Sequence, residues 1–198
     1  DSSVVLETEH ESLAFDAVIM ACHSDQALEA LVEPTTAETD VLGAIKYTDN
    51  QVVLHGDAGY MPRDRRNWSS WNARIDAKSG RSETTYWMNR VQGIHGPQFF
   101  ITLNPQSTPK RIWTERKYRH PVLDADAYQA QQRQEQISGL DRTFYCGAYR
   151  GMGGHEDGFR SGSDAAERLL AERRTVSRSI GQVDYAADMG GADQSQGG

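Results

Sequence analysis

The sequence predicts an α/β chain interrupted by an antiparallel sheet, and three observations predict it. Near the start, Phe15-Asp16-Ala17-Val18-Ile19-Met20-Ala21 is a nearly continuous apolar run. Such runs suit a strand buried on both faces of a parallel sheet. Between Gln51 and Tyr118 the pattern changes to short strand-like segments separated by Gly, Asp, Ser and Pro clusters, as in an antiparallel meander. After Asp124 the chain returns to helix, strand, glycine loop and helix. A sheet set between two parts of an α/β unit implies a discontinuous domain.

The elements follow in order. Val4 to Thr8 and Leu13 to Ala21 read as strands around a polar turn at Glu9 to Ser12. The second ends at Cys22-His23-Ser24-Asp25, where Ser24 or Asp25 can cap a helix over Gln26 to Val32. Pro34-Thr35-Thr36 opens the next segment, with a helix start marked by Thr36, Thr39 and Asp40. Gln51 to His55, Ser69 to Ile75, Thr84 to Val91, Phe99 to Leu103 and Arg111 to Tyr118 are the expected strands. Asp124 is the expected N-cap of a helix to about Ile137, ended by Gly139. Thr143 to Cys146 is a short strand, and a last helix is expected from about Gly158 to Glu172 with a stripe of Ala165, Ala166, Leu169 and Leu170.

The expected division is 1–32 as the first part of the α/β unit, 33–123 as the mainly antiparallel sheet domain, and 124–172 as the returning segment. Residues 173–198 are polar and Gly/Ser/Gln-rich, too poor in apolar surface to offset ordering entropy, and are expected to be a disordered tail. The abrupt start, Asp1-Ser2-Ser3 directly before a strand, is the pattern expected of a fragment.

The 198 residues carry a net charge of −7, which argues against general nucleic-acid binding. The runs Arg63, Arg65, Arg66 and Arg111, Arg116, Lys117, Arg119 then read as solvated faces. Cys22 and Cys146 lie in apolar surroundings and read as buried reduced thiols, favouring a reducing, cytoplasmic compartment. No segment reaches the ~18 apolar residues of a membrane span.

Two clusters carry chemistry. In Tyr145-Cys146-Gly147-Ala148-Tyr149-Arg150-Gly151-Met152-Gly153-Gly154-His155-Glu156-Asp157-Gly158 the glycines permit tight turning and close ligand approach, and the helix start offers unpaired N–H groups. That combination suits an anionic or electron-rich cofactor. The segment is not a dinucleotide fingerprint, because the third required glycine falls on Glu156. No zinc-spaced ligand set accompanies His155-Glu156-Asp157, so no metal is expected. The second cluster is aromatic: Trp68, Trp71, Tyr86 and Trp87 on successive strands, with Asn72 and Asn89 nearby. It reads either as ordinary sheet core or as an apolar pocket with a few polar groups.

Taken together, several segments resemble flavin-containing amine-oxidase-like proteins, in a bacterial branch described as predicted NAD/FAD-binding proteins. They are Phe15 to Leu28, Trp68-Ser69-Ser70-Trp71-Asn72, Tyr86-Trp87-Met88-Asn89-Arg90, Tyr118-Arg119-His120-Pro121-Val122, Tyr145 to Tyr149 and His155 to Gly162. The resemblance spans residues 4–172. It implies a two-domain FAD protein, with a discontinuous Rossmann-like FAD domain and an inserted sheet-based substrate domain. It implies that Gly147, Ala148 and Tyr149 form one flavin-contacting turn. It further implies that Glu156, Asp157, Gly158 and Phe159 form the other, with main-chain N–H groups facing flavin N1 and O2. Trp71, Asn72, Trp87, Asn89 and His120 are the pocket candidates.

Two features depart from the family pattern: Gly154 stands where an aromatic residue is expected, and the Gly-x-Gly-x-x-Gly that holds the FAD pyrophosphate is absent from this sequence. The expected function is that of an FAD-dependent oxidoreductase acting by hydride transfer to flavin on a small-molecule or lipid substrate, a fatty-acyl chain among them. The fragment alone is expected to be inactive. Peripheral membrane contact is compatible with such a substrate. The alternative is a non-catalytic binding or assembly module using the aromatic sheet face.

Overall fold

The computed structural model describes the backbone of residues 3–188 and the side chains of residues 3–173. The described residues form two compact units, one drawn from residues 1–46 and 121–198 and the other from residues 47–120. The first boundary between the units lies at 46/47.

In the first unit, β1 (Val4–Glu7) and β2 (Ser12–Phe15) form an antiparallel hairpin pairing Val4 with Phe15 and Leu6 with Leu13. Thr8 closes its turn, the side-chain oxygen accepting from the N–H groups of His10 and Glu11 at 3.3 and 3.1 Å. The expected single strand from Leu13 to Ala21 is two strands. The chain breaks at Asp16, and β3 (Val18–Met20) leaves the hairpin to pair in parallel with β9 (Thr143–Tyr145). Asp16 is held at the break by Arg142, which donates to its carbonyl, and by an ion pair from Arg173. β3 is not buried on both faces, since Ile19 is exposed, whereas all three residues of β9 are buried.

Helix α1 (Ser24–Ala30) starts one residue after His23, whose N–H is taken by the Gln26 side chain at 3.2 Å. Helix α2 (Thr36–Gly43) carries a full capping box. Thr35 Oγ1 accepts from Glu38 N–H at 3.2 Å and Glu38 Oε2 accepts from Thr35 N–H at 2.8 Å. α2 packs against α1 and α4 (Ala125–Arg133), burying Ala27, Val41, Leu42, Ala127 and Ala130. That packing places residues 33–46 with the first unit.

Asp124 caps α4 as its sequence predicts, accepting from Ala127 N–H at 3.0 Å. The helix tightens to 3-10 geometry over Gln134–Gln136, and Gly139 ends the segment at φ 93°. Helix α5 runs His155–Asp188, starting three residues earlier than expected and continuing past Glu172. Ala165 and Leu169 of its stripe pack on Phe144 and Cys146, while Leu170 is exposed. The expected disordered tail falls on residues whose side chains lie outside the described ones, as does the backbone beyond Asp188.

The second unit is a five-stranded sheet of order β5-β6-β7-β4-β8, comprising β4 (Tyr47–His55), β5 (Trp71–Ile75), β6 (Ser82–Trp87), β7 (Phe100–Leu103) and β8 (Ile112–Pro121). β5, β6 and β7 form an antiparallel meander, but β7 returns beside β4, so the sheet is not a simple meander throughout. The strand expected to reach Val91 stops at Trp87 and turns into the short helix α3 (Met88–Gln92), ended by Gly93 at φ 65°. Asn89 drives this. Its amide donates to the carbonyls of Ile94 and Pro97 and its oxygen accepts from Phe99 N–H, all within 3.0 Å, which closes the connection to β7.

One face of the sheet is a core of Val53, His55, Thr85, Phe100 and Thr102, all buried. His55 Nδ1 accepts from Asp57 N–H at 3.1 Å, so the proton sits on Nε2, which reaches Thr102 Oγ1 at 2.7 Å. Thr102 and Thr85 hydroxyls continue the chain at 2.8 Å. Among the described residues no helix is long and apolar enough to cross a membrane.

Candidate functional site

The glycine segment begins where β9 delivers the chain alongside β3, with Cys146 N–H bonding Met20 carbonyl at 3.0 Å. Gly147 then sits at φ 156°, and a Cβ there would lie 2.6 Å from the buried Tyr149 ring and 3.3 Å from the Cys22 carbonyl. Any side chain there would force the Tyr149 ring to move. A 3-10 turn over Ala148–Arg150 follows, and Ala148 carbonyl accepts from both Gly151 and Gly153 N–H groups at 3.2 and 3.1 Å. The loop is thereby folded back on the Gly147–Tyr149 turn.

Asp157, at the third position of α5, reaches back over this loop. Its Oδ2 accepts from Met152 N–H at 3.1 Å and from Gly154 N–H at 2.9 Å. A side chain at Gly151 would collide with this carboxylate. The first intrahelical bond is Gly158 N–H to Gly154 carbonyl at 3.2 Å. The N–H groups of His155, Glu156 and Asp157 precede it and have no intrahelical acceptor. They form the positive end of the helix dipole. Phe159, one turn in, is 74% exposed, and Met152 on the loop is also open to solvent. The structure therefore sets free main-chain donors and exposed apolar side chains beside a turn with glycine at its pivot.

At Gly158 a Cβ would stand 3.8 Å from Ala148 N, an ordinary contact aimed at the Gly147–Tyr149 turn. A larger side chain would press on that turn.

Three positioning residues were not singled out from the sequence. Ser161, buried on α5, accepts from Gly147 N–H at 2.9 Å and lies 3.0 Å from the Gly158 carbonyl. Gln131 of α4 donates to the carbonyls of Tyr149 and Gly151 at 2.8 and 2.7 Å. Arg150 donates to Tyr145 carbonyl at 2.9 Å and to Glu135 at 2.6 Å. Helical spacing places Ser161 on the same face as Gly158 and Ala165, which is the signal that was available. Nothing local marks Gln131.

The two cysteines part company. Cys146 is buried, and burial pushes its thiol up, whereas Cys22 is exposed, contrary to expectation. Among the described residues no group of three or more His, Cys, Asp or Glu is placed to hold a metal ion.

In the second unit the strand registers divide the aromatic candidates. Trp71, Tyr86, Ile101 and Leu54 are aligned across β5, β6, β7 and β4, and Ala73, Thr84, Leu103 and Val52 form the adjacent row. Residues two apart on a strand share a face, so these eight line one side of the sheet. Trp71 is 54% exposed and Tyr86, Ile101 and Leu54 are half-buried, against the closed core of the other side.

Asn72 and Trp87 lie on the opposite, core side. Asn72 donates to Ser69 carbonyl at 2.7 Å and lines a cleft of about 200 Å³ with Tyr60, Met61 and Arg74. Trp87 stacks edge-on against Trp68 at 5.2 Å and donates to Gln98 at 2.8 Å. Asn89 is spent on its loop. His120, at the exposed end of β8, has Nδ1 2.9 Å from Asn50 Nδ2. Of the five pocket candidates, the structure leaves only Trp71 on the open apolar rows.

No protein-family model matches the chain, and no curated protein matches its sequence. Several solved structures share its fold, among them these two. One is a CLA-producing fatty acid isomerase from P. acnes, with a TM-score of 0.56 at 13% identity over 85% of this chain and 45% of that one. The other, from Exiguobacterium sp. 255-15, carries a provisional assignment as a protoporphyrinogen oxidase. It matches with a TM-score of 0.51 at 12% identity over 86% of this chain and 45% of that one. The chain spans less than half the length of either. At this identity the likeness establishes the fold, a mixed α/β unit with an inserted antiparallel sheet.

Proposed function

We propose that this chain is the flavin-contacting and substrate-bearing part of an FAD-dependent oxidoreductase of amine-oxidase type. The observation that carries the reading is the Gly147–Tyr149 turn folded onto the start of α5, with the N–H groups of His155, Glu156 and Asp157 unspent. The fold shared with an isomerase and with a protein assigned as an oxidase supports it.

The residues present fit the group. The three N–H groups would hold the electron-rich pyrimidine edge of the isoalloxazine, and Phe159 and Met152 offer apolar surface to its ring. Bound there, FAD would supply the hydride-accepting chemistry. A helix start facing an anion is worth about 1 kcal/mol, so it favours the state of the ring that carries negative charge. Asp157 keeps its carboxylate on the loop N–H groups of Met152 and Gly154, fixing the loop. In the second unit the Trp71–Tyr86–Ile101–Leu54 row offers apolar surface on which an extended hydrocarbon can lie out of water. A fatty-acyl or similar lipid chain is the substrate class this surface suits. The same exposed row is what a non-catalytic assembly module would use, and that is the second reading.

Amide exchange of the 198-residue chain with and without saturating FAD tests the site. Slowed exchange at His155–Asp157 and at the Gly147–Arg150 turn is the expected result. Protection elsewhere with none at these amides overturns it. Because this sequence holds no Gly-x-Gly-x-x-Gly, titration by flavin fluorescence is expected to give a dissociation constant above micromolar.

A further inference from the structure

The net charge of −7 conceals a segregation of charge. Residues 47–120 contain twelve Lys and Arg against six Asp and Glu, whereas the rest of the chain contains nine against twenty-two. Charge asymmetry of this size between parts of one chain marks an interaction surface. Within the cationic unit, Lys110, Arg111, Arg116, Lys117 and Arg119 fall within ten residues, with Glu115 the only acid among them.

β8 carries the last three of these cations and ends the sheet, so among the described residues its outer edge pairs with no strand. Every residue from Glu115 to His120 is exposed. Arg119 has Asp49 within 3.8 Å and stacks over Tyr47. The Glu115 carboxylate accepts from Gln51 at 3.3 Å, and Arg116 donates to the Glu115 carbonyl rather than to its carboxylate. Tyr118 is 54% exposed, and Trp113 is 49% exposed with one part of its ring against Phe99 at a centroid distance of 5.0 Å. Strand alternation puts Arg116, Tyr118 and His120 on one side of β8, and Trp113, Lys117 and Arg119 on the other. The edge is therefore flanked on both sides by an aromatic ring and by cations.

We propose that the outer edge of β8 docks on an anionic lipid bilayer. A strand edge flanked in this way sets both rings at headgroup depth while the long cationic stems reach the phosphates. A single-stranded nucleic acid needs successive rings on one face to stack successive bases, and Trp113 and Tyr118 lie on opposite sides. Screening over about 8 Å at physiological salt isolates the edge from acidic residues farther away.

The test is cosedimentation of the 198-residue chain with vesicles. Binding to vesicles of 30% phosphatidylglycerol in phosphatidylcholine, lost at high salt and absent with phosphatidylcholine alone, is expected. Each cation near such a surface contributes about fivefold in partitioning, so Arg116→Gln with Lys117→Gln is expected to weaken binding about thirtyfold with an unchanged far-UV spectrum. Tyr118→Ser is expected to weaken it further. Equal binding to neutral and anionic vesicles, an unchanged affinity in the double variant, or tighter binding to poly(U) than to the vesicles overturns the proposal.

Discussion

The Tyr145 hydroxyl donates to Glu38 Oε1 at 2.6 Å, joining β9 to the first turn of α2 across 107 positions. Both residues are buried. Glu38 thus closes its own helix cap with one oxygen and anchors the strand that leads into the glycine turn with the other. Burial works against its ionisation, but the hydrogen bonds from Tyr145 and Thr35 outweigh it and hold the carboxyl below its usual value. The Tyr145 phenol is driven upward by burial and by the neighbouring Glu38.

Tyr145→Phe is expected to cost about 1–3 kcal/mol, the range for stranding a buried polar partner. Because the folded-state value of Glu38 is depressed, its contribution is full above its unfolded value, near the reference 4.5, and is lost as pH falls through the folded value. Denaturant melts of the parent and of Glu38→Gln between pH 3 and 7 check this. The parent is expected to lose stability on acidification more steeply than the variant.

The glycines of the turn and of the helix are expected to behave differently. Gly147→Ala drives a Cβ into the buried Tyr149 ring and is expected to destabilise by about 1–3 kcal/mol, the usual cost of overpacking. Gly158→Ala meets only an ordinary contact and gains helix propensity, so it is expected to be neutral or stabilising by up to about 1 kcal/mol. Gly158→Val, bulkier against Ala148, is expected to weaken flavin binding while the chain stays folded. Thermal melts and flavin titration separate the three.

Asp157→Ala removes the acceptor of two loop N–H groups and is expected to cost about 1 kcal/mol. Faster amide exchange confined to Met152 and Gly154 is the expected signature. Slower exchange there would show that the carboxylate does not hold the loop.

His55 gives a second pH dependence with its own window. Burial lowers its folded-state value from 6.5, and Asp57 and Glu83 only partly counter this. The unfolded chain then binds the proton more readily, so stability is full above about pH 6.5 and falls as the medium is acidified below it. His55→Gln is expected to flatten the melting temperature between pH 5 and 7, whatever its effect at neutral pH. An unchanged slope would show that His55 takes up its proton without penalty.

What the sequence by itself determined is local. The Asp124 cap, the left-handed glycines that end helices, and the strand–glycine–helix order at 143–158 depend on residues a few positions apart, whose steric and hydrogen-bonding preferences act without the rest of the chain. Alternation also carried a warning, since neighbours such as Trp71 and Asn72 point to opposite faces and cannot line one pocket.

Tertiary structure decided what separation in sequence hides. β3 finds β9 across more than 120 residues, and this splits the apolar run at Asp16. α2 belongs to the first unit because Glu38 meets Tyr145. Which side of the inserted sheet stays open is set by what buries His55, Phe100 and Thr102, so the same aromatic side chain is half-buried on the core side at Trp87 and exposed at Trp71. The glycine turn, written plainly in the sequence, is held by Gln131 and Ser161, residues whose roles exist only once two helices bring them to it.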